Sequence, residues 1–261
     1  MSEFYICLTF DVDAESSQVR ENAEPVSISK GQFAINKGIP RILSLLEKYD
    51  IQSSFFTCGW VAETYPETIK EILGKGHEIA AHGYLHEHLD KLPLAEEKEV
   101  HLKTNKILED LTGKIKGFRA PYWKISENTL KIIKELDYIY DSSLMDDDQP
   151  YILSIPDVAG SLVEFPVQWY IDDWIMFETH QYAPYLVLEI WKSQLDSYIK
   201  INEESNRLSV FNLTCHPSCI GHAYRLKVLE DLISYIKSNE YEFTKMENLA
   251  TIIMKNIEDI E

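Results

Sequence analysis

Basic residues are scarce in this chain. Its 261 residues carry 25 Lys and Arg against 43 Asp and Glu, a formal net charge of −18. A surface of that sign is repelled by phosphate backbones, which excludes nucleic acid as an expected partner and disfavours other anionic polymers. Cysteine is also sparse. Cys7, Cys58, Cys215 and Cys219 form no C-x-x-C pair and no zinc-finger spacing, so free thiols are expected. Long apolar runs are missing. None approaches the roughly 18 residues of a membrane span, and the start, MSEFYICLTFDVD, has neither a basic leader nor a signal-length apolar stretch. The expectation is a cytoplasmic protein with no membrane partner. Hydrophobic residues still make up 45% of the chain, enough for a substantial core.

Short apolar or β-branched runs alternate with helical patterns. Strands are expected at Phe4–Phe10, Gln52–Cys58, Glu78–Ala81, Lys116–Arg119, Tyr138–Ser142, Leu162–Trp169 and Ser209–Cys215. Helices are expected at Ile39–Lys48, Tyr65–Leu73, Leu94–Leu111, Ser126–Leu136 and Tyr185–Ile201, with Arg225–Lys237 as the final one. Such alternation argues for an α/β fold with parallel strands and helical crossovers. About seven units in this length suggest a barrel more than an open sheet. No linker marks a boundary, so one domain over 1–261 is expected.

In parallel α/β folds chemistry gathers where strands end. The first strand ends in Asp11–Val–Asp13, the third in His82, with His86 four residues on, and the fourth in Arg119. The fifth ends in Asp141, the sixth runs into Asp172 and Asp173, and the seventh ends in His216. Each has an ordinary reading. An Asp after a strand is usually a turn former, a His pair four apart is more often a surface pair, and Arg119 alone is an ordinary ion-pair residue. The run AAHGYLHEH (80–88) is open to three readings: a helix, a metal-binding turn or a polar loop. Jointly the ordinary readings are weak, because one rim is expected for all of these groups. A Cys–His hydrolase is disfavoured, since Cys215 and His216 are adjacent in a strand and point to opposite faces.

The set Thr9–Phe–Asp11–Val–Asp13, His82–Gly–Tyr–Leu–His86, Arg119–Ala–Pro–Tyr122 and Leu213–Thr–Cys–His216–Pro217 resembles the polysaccharide deacetylase superfamily, also called NodB-like or carbohydrate esterase family 4. Order and spacing agree over nearly the whole chain. Val12 between the aspartates, Gly83 after His82 and Tyr140–Asp–Ser–Ser–Leu–Met145 are closer to a branch of mostly intracellular proteins. That branch includes peptidoglycan-deacetylase-like proteins, metal-independent allantoinases and cyclic-imide hydrolases.

The resemblance implies a distorted (β/α) barrel of about seven strands. It implies hydrolysis of a non-peptide amide, with N-deacetylation of an acetylated amino sugar first and ring opening of a cyclic amide, allantoin- or imide-like, as the alternative. Asp13, His82 and His86 would bind one divalent metal. The ligand set suits Zn²⁺ and also resembles an iron triad, so the metal's identity stays open. Asp11 would be the general base, Arg119 its support, the Tyr122 backbone N–H an oxyanion donor and His216 the general acid. Asp141 is expected to orient His216 or line the pocket. Trp123, Trp169, Asp173 and Trp174 are expected at the substrate, which is a small molecule or a carbohydrate. Homo-oligomers occur in the branch and are expected here.

Overall fold

A computed structural model describes residues 4–205 and 208–258. Among these residues nine strands occur: β1 (Phe4–Val12), β2 (Ser54–Thr57), β3 (Glu78–Ala81), β4 (Gly117–Phe118), β5 (Tyr140–Asp141), β6 (Tyr151–Ser154), β7 (Ser161–Glu164), β8 (Ser209–Cys215) and β9 (Glu242–Phe243). Eight form one sheet in the order β6-β7-β5-β4-β3-β2-β1-β8, and β9 pairs with β1. All pairs are parallel except β6 with β7. The sheet curls into a half-barrel wrapped by helices, the distorted α/β barrel expected, with two strands more than the sequence pattern gives and one of them antiparallel. No helix among the described residues is long and apolar enough to cross a membrane.

Alternation along the strands sorts the side chains into two cores. From β1, Ile6, Leu8, Phe10 and Val12 join Ile39, Ile42 and Leu46 of the helix Ile39–Lys48 in the outer core. Cys7 points the other way and packs with Phe56, Ala80, Tyr140, Val163, Phe165 and Val210 in the inner one. Thr9, Asp11 and Asp13 share the parity of Cys7, which aims both aspartates into the barrel. Val210 is likewise inner, so Asn212, Thr214 and His216 follow it, while Phe211, Leu213 and Cys215 face outward.

One element absent from the sequence reading closes the opposite end. The helix Met246–Glu258 follows Ala223–Ser238, where Arg225–Lys237 was expected to be the last helix. Met246, Leu249 and Ala250 plug the inner core. The Met246 N–H donates to Ser54 Oγ at 2.9 Å and the Glu247 N–H to Glu78 Oε2 at 3.1 Å. Ser54 and Glu78 are the first residues of β2 and β3. The mouth at the strands' carboxyl ends stays open.

Candidate active site

Every strand that supplies a functional group does so at its carboxyl end. Asp11 lies near the end of β1, Asp13 just beyond it, His82 directly after β3 and His216 directly after β8. They line a cavity of about 470 Å³ with Tyr122, Trp123, Trp169, Asp172, Trp174 and Lys30.

Asp13 Oδ1 lies 3.3 Å from His82 Nε2 and 3.6 Å from His86 Nε2. The oxygen is buried and makes no hydrogen bond. A cation with bonds of about 2.0–2.2 Å spaces its ligands by comparable distances, so the trio fits a divalent metal. His82 Nδ1 sits 2.7 Å from the Arg119 carbonyl. A carbonyl only accepts, so Nδ1 carries the proton and Nε2 presents its lone pair towards Asp13. Burial holds His86 neutral, its pKa lowered to about 4 against the pull of Asp13.

His86 reaches this point through a turn, not a helix. Gly83 has φ +68° and His86 φ +56°. A Cβ on Gly83 would come within 2.9 Å of Pro121, so only glycine suits both the conformation and the space. Glu87 ties the turn together, accepting from the Tyr84 N–H at 2.9 Å and the Leu85 N–H at 2.7 Å. His88 stacks on Tyr122.

Arg119 is fully buried and clamps Asp11. Its Nη1 donates to Asp11 Oδ1 at 2.7 Å and to Thr9 Oγ1 at 2.9 Å, while Nε and Nη2 reach the carbonyl and hydroxyl oxygens of Ser142. The second Asp11 oxygen lies 3.9 Å from both His82 Nε2 and His216 Nε2. His216 is fixed by Asp173, whose Oδ1 is 2.7 Å from Nδ1 and whose two oxygens accept the His216 backbone N–H at 3.0 Å. Burial disfavours a charged imidazole, but Asp173, Asp172 and Asp11 overcome it and raise the His216 pKa well above 6.5. Asp172, Asp173 and His216 also cluster closely enough to ligate. Nδ1 of that imidazole is already committed to Asp173, which marks an acid–base pair.

Residues 1–140 match the family model for polysaccharide deacetylases. A peptidoglycan deacetylase of Helicobacter pylori is 30% identical over 272 aligned residues, covering 91% of this chain and 92% of that protein. The chain belongs to the polysaccharide deacetylase family. It is therefore a hydrolase acting on carbon–nitrogen bonds other than peptide bonds. The solved structure of a putative polysaccharide deacetylase from Mycobacterium smegmatis superposes with a TM-score of 0.86 at 31% identity, covering 98% of this chain and 91% of the other. The PuuE allantoinase also superposes at 0.86, over 95% and 89% of the two chains, but at 22% identity, a likeness of fold.

Within this site two expectations need correction. Asp141 neither orients His216 nor lines the cavity. It bonds Ser143 and neighbours Glu164. The reason is parity: Tyr140 faces the inner core, so Asp141 faces outward, as Glu164 does beside Val163. Asp173 is fully buried behind His216, where it holds the imidazole, and does not line the cavity wall. Asp172, which was given no role from the sequence, is the carboxyl on the cavity wall. Ser142, Ser143 and Asn212 were missed as well; their signal is the strand parity that places each beside Arg119 or Ala120. Trp123 and Trp169 do meet at the rim, ring centres 4.9 Å apart, and Trp174 lies against His216. Burial raises the thiols of Cys58 and Cys215 well above 9.0, so neither supplies a ready thiolate.

The Glu87 contacts carry a prediction. Glu87→Ala frees the turn that delivers His86 and is expected to weaken divalent-metal affinity about 10–100-fold. Competition titration against a chromophoric chelator measures it. Unchanged affinity would mean that the turn holds His86 without this carboxylate.

Proposed function

We propose that this chain is a divalent-metal-dependent N-deacetylase of acetylated amino sugars in a carbohydrate, with zinc as the metal and the whole of 1–261 as one catalytic unit. The observation that carries the reading is the convergence of Asp13 Oδ1, His82 Nε2 and His86 Nε2 beside Asp11 and His216. When bound there, a divalent cation would lower the pKa of water from 15.7 towards about 7 and polarise the amide carbonyl.

The chain's own groups supply the proton transfers. The free Asp11 oxygen accepts a proton from the attacking water. Arg119 holds the other oxygen and keeps the carboxylate aimed. The Tyr122 N–H serves as an oxyanion donor. His216 donates its Nδ1–H to Asp173, and in the charged form that the surrounding carboxylates favour it carries a second proton on Nε2. It delivers that proton to the amine nitrogen as the C–N bond breaks, leaving acetate and a free amine. Trp123, Trp169 and Trp174 offer aromatic faces for a sugar ring. A homo-oligomeric, cytoplasmic protein without nucleic-acid partners is part of the same proposal, supported by the branch resemblance and the net charge.

The test is release of acetate from N-acetylglucosamine oligomers, run beside allantoin and cyclic imides, with and without exhaustive chelation. Acetate release that stops on chelation and returns with zinc is expected. Turnover of a cyclic amide that survives chelation would overturn the reading in favour of ring opening.

A further inference from the structure

The segment Tyr140–Asp–Ser–Ser–Leu–Met145 stands out in the sequence but has no part in the chemistry above. In the structure it lies directly behind Arg119–Ala–Pro–Tyr122. The Ala120 N–H donates to Ser143 Oγ at 2.9 Å, and Ser143 Oγ donates to Asp141 Oδ1 at 2.9 Å. The Ser143 N–H reaches Asp141 Oδ2 at 3.1 Å and Glu164 Oε1 at 3.0 Å, and the Leu144 N–H reaches Glu164 Oε1 at 2.9 Å. Ala120, Ser143, Asp141 and Glu164 are all buried. One residue back, Ser142 holds the Arg119 guanidinium.

What this frame supports is strained. Tyr122 and Trp123 follow with φ of +57° and +54°, a region bulky side chains rarely adopt. Such backbone persists only where its surroundings over-determine it. Pro121 has no N–H, so the Ala120 N–H is the last backbone donor before Tyr122. Its carbonyl is taken by the Trp123 N–H at 3.0 Å. Ser143 therefore grips the strap at its final anchor point, and the two outward carboxyl groups hold Ser143.

We infer that Ser143, backed by Asp141 and Glu164, is a positioning residue that fixes the Ala120–Trp123 strap and thereby the Tyr122 N–H at the reacting carbonyl. The inference rests on the deacetylase reading for its catalytic part. Burial raises both carboxyl groups, Glu164 further through its neighbour Asp141, so their surroundings disfavour a double negative charge there.

The experiment pairs kinetics with amide hydrogen exchange of the zinc-loaded protein. Ser143→Ala is expected to lower kcat about 10–100-fold, with KM and zinc content within about 2-fold. Exchange at Ala120 in the same variant should quicken at least about 10-fold. Ser143→Cys, close in shape but a weak acceptor, should move both readouts the same way and serves if the Ala variant does not fold. Unchanged exchange at Ala120 overturns the inference. So does faster exchange with wild-type kcat, or a loss confined to KM or zinc content. If the wild type releases no acetate from any N-acetylated sugar, the deacetylase reading falls, and the exchange result alone decides whether Ser143 anchors the strap.

Discussion

Asp11→Asn is expected to lower kcat about 10²–10⁴-fold while zinc content stays at the wild-type level. Asp11 is nearly fully buried, with one oxygen committed to Arg119 and the other lying between His82 and His216. Asparagine keeps the shape and one acceptor but cannot take a proton from water. The second consequence is structural. Arg119 is fully buried, and removing the charge of its carboxylate partner leaves the guanidinium uncompensated except by neutral oxygens. Breaking a buried pair costs about 3–5 kcal/mol, lessened here because Thr9 and Ser142 still accept from Arg119. A lower melting temperature should therefore accompany the kinetic loss. If zinc disappears as well, Asp11 is a ligand and not the base.

Asp173→Asn should act on the other proton. The raised His216 pKa means that its charged form is complete below 6.5 and is lost only as pH rises through the higher value. Activity that needs this proton falls on the same alkaline limb. Removing the Asp173 charge takes away the nearest of the carboxylates that overcome burial, so the His216 pKa drops and the limb moves to lower pH. Asparagine can also turn its amide towards Nδ1 and favour the wrong tautomer. Together these should cost about 10²-fold or more in kcat at neutral pH. The pH profile of kcat/KM separates the two effects. A profile that keeps its alkaline limb in place would rule out Asp173 as the group that charges His216.

Much of this arrangement was legible because period-two geometry is strict. β3 spans Glu78–Ala81 as expected, which delivers His82 to the mouth. Asp–x–Asp on β1 necessarily aims both carboxyl groups one way. Asp141 was misplaced because the strand end was read there without the parity. Strand β5 is only two residues long, too short to reveal which face is inner until Tyr140 is seen against Phe56 and Phe165. The role of Asp173 was hidden for another reason. It depends on a lone parallel bridge between Asp172 and Thr214 beside β8, a long-range pairing without periodic signature. The helix Pro25–Phe33 (PVSISKGQF) was not foreseen because its Ser and Gly interrupt any apolar stripe. Gly38, just beyond it, packs where a Cβ would fall 2.2 Å from the Pro217 carbonyl, which seats this layer against the turn that carries His216.

The most direct measurement is elemental analysis of the purified wild type and Asp13→Ala proteins after dialysis against metal-free buffer. The account predicts about one divalent ion per wild-type chain from the three-ligand set, and a near-empty, inactive Asp13→Ala protein that remains folded. Full occupancy without Asp13, or undiminished acetate release from a metal-free wild type, would contradict it.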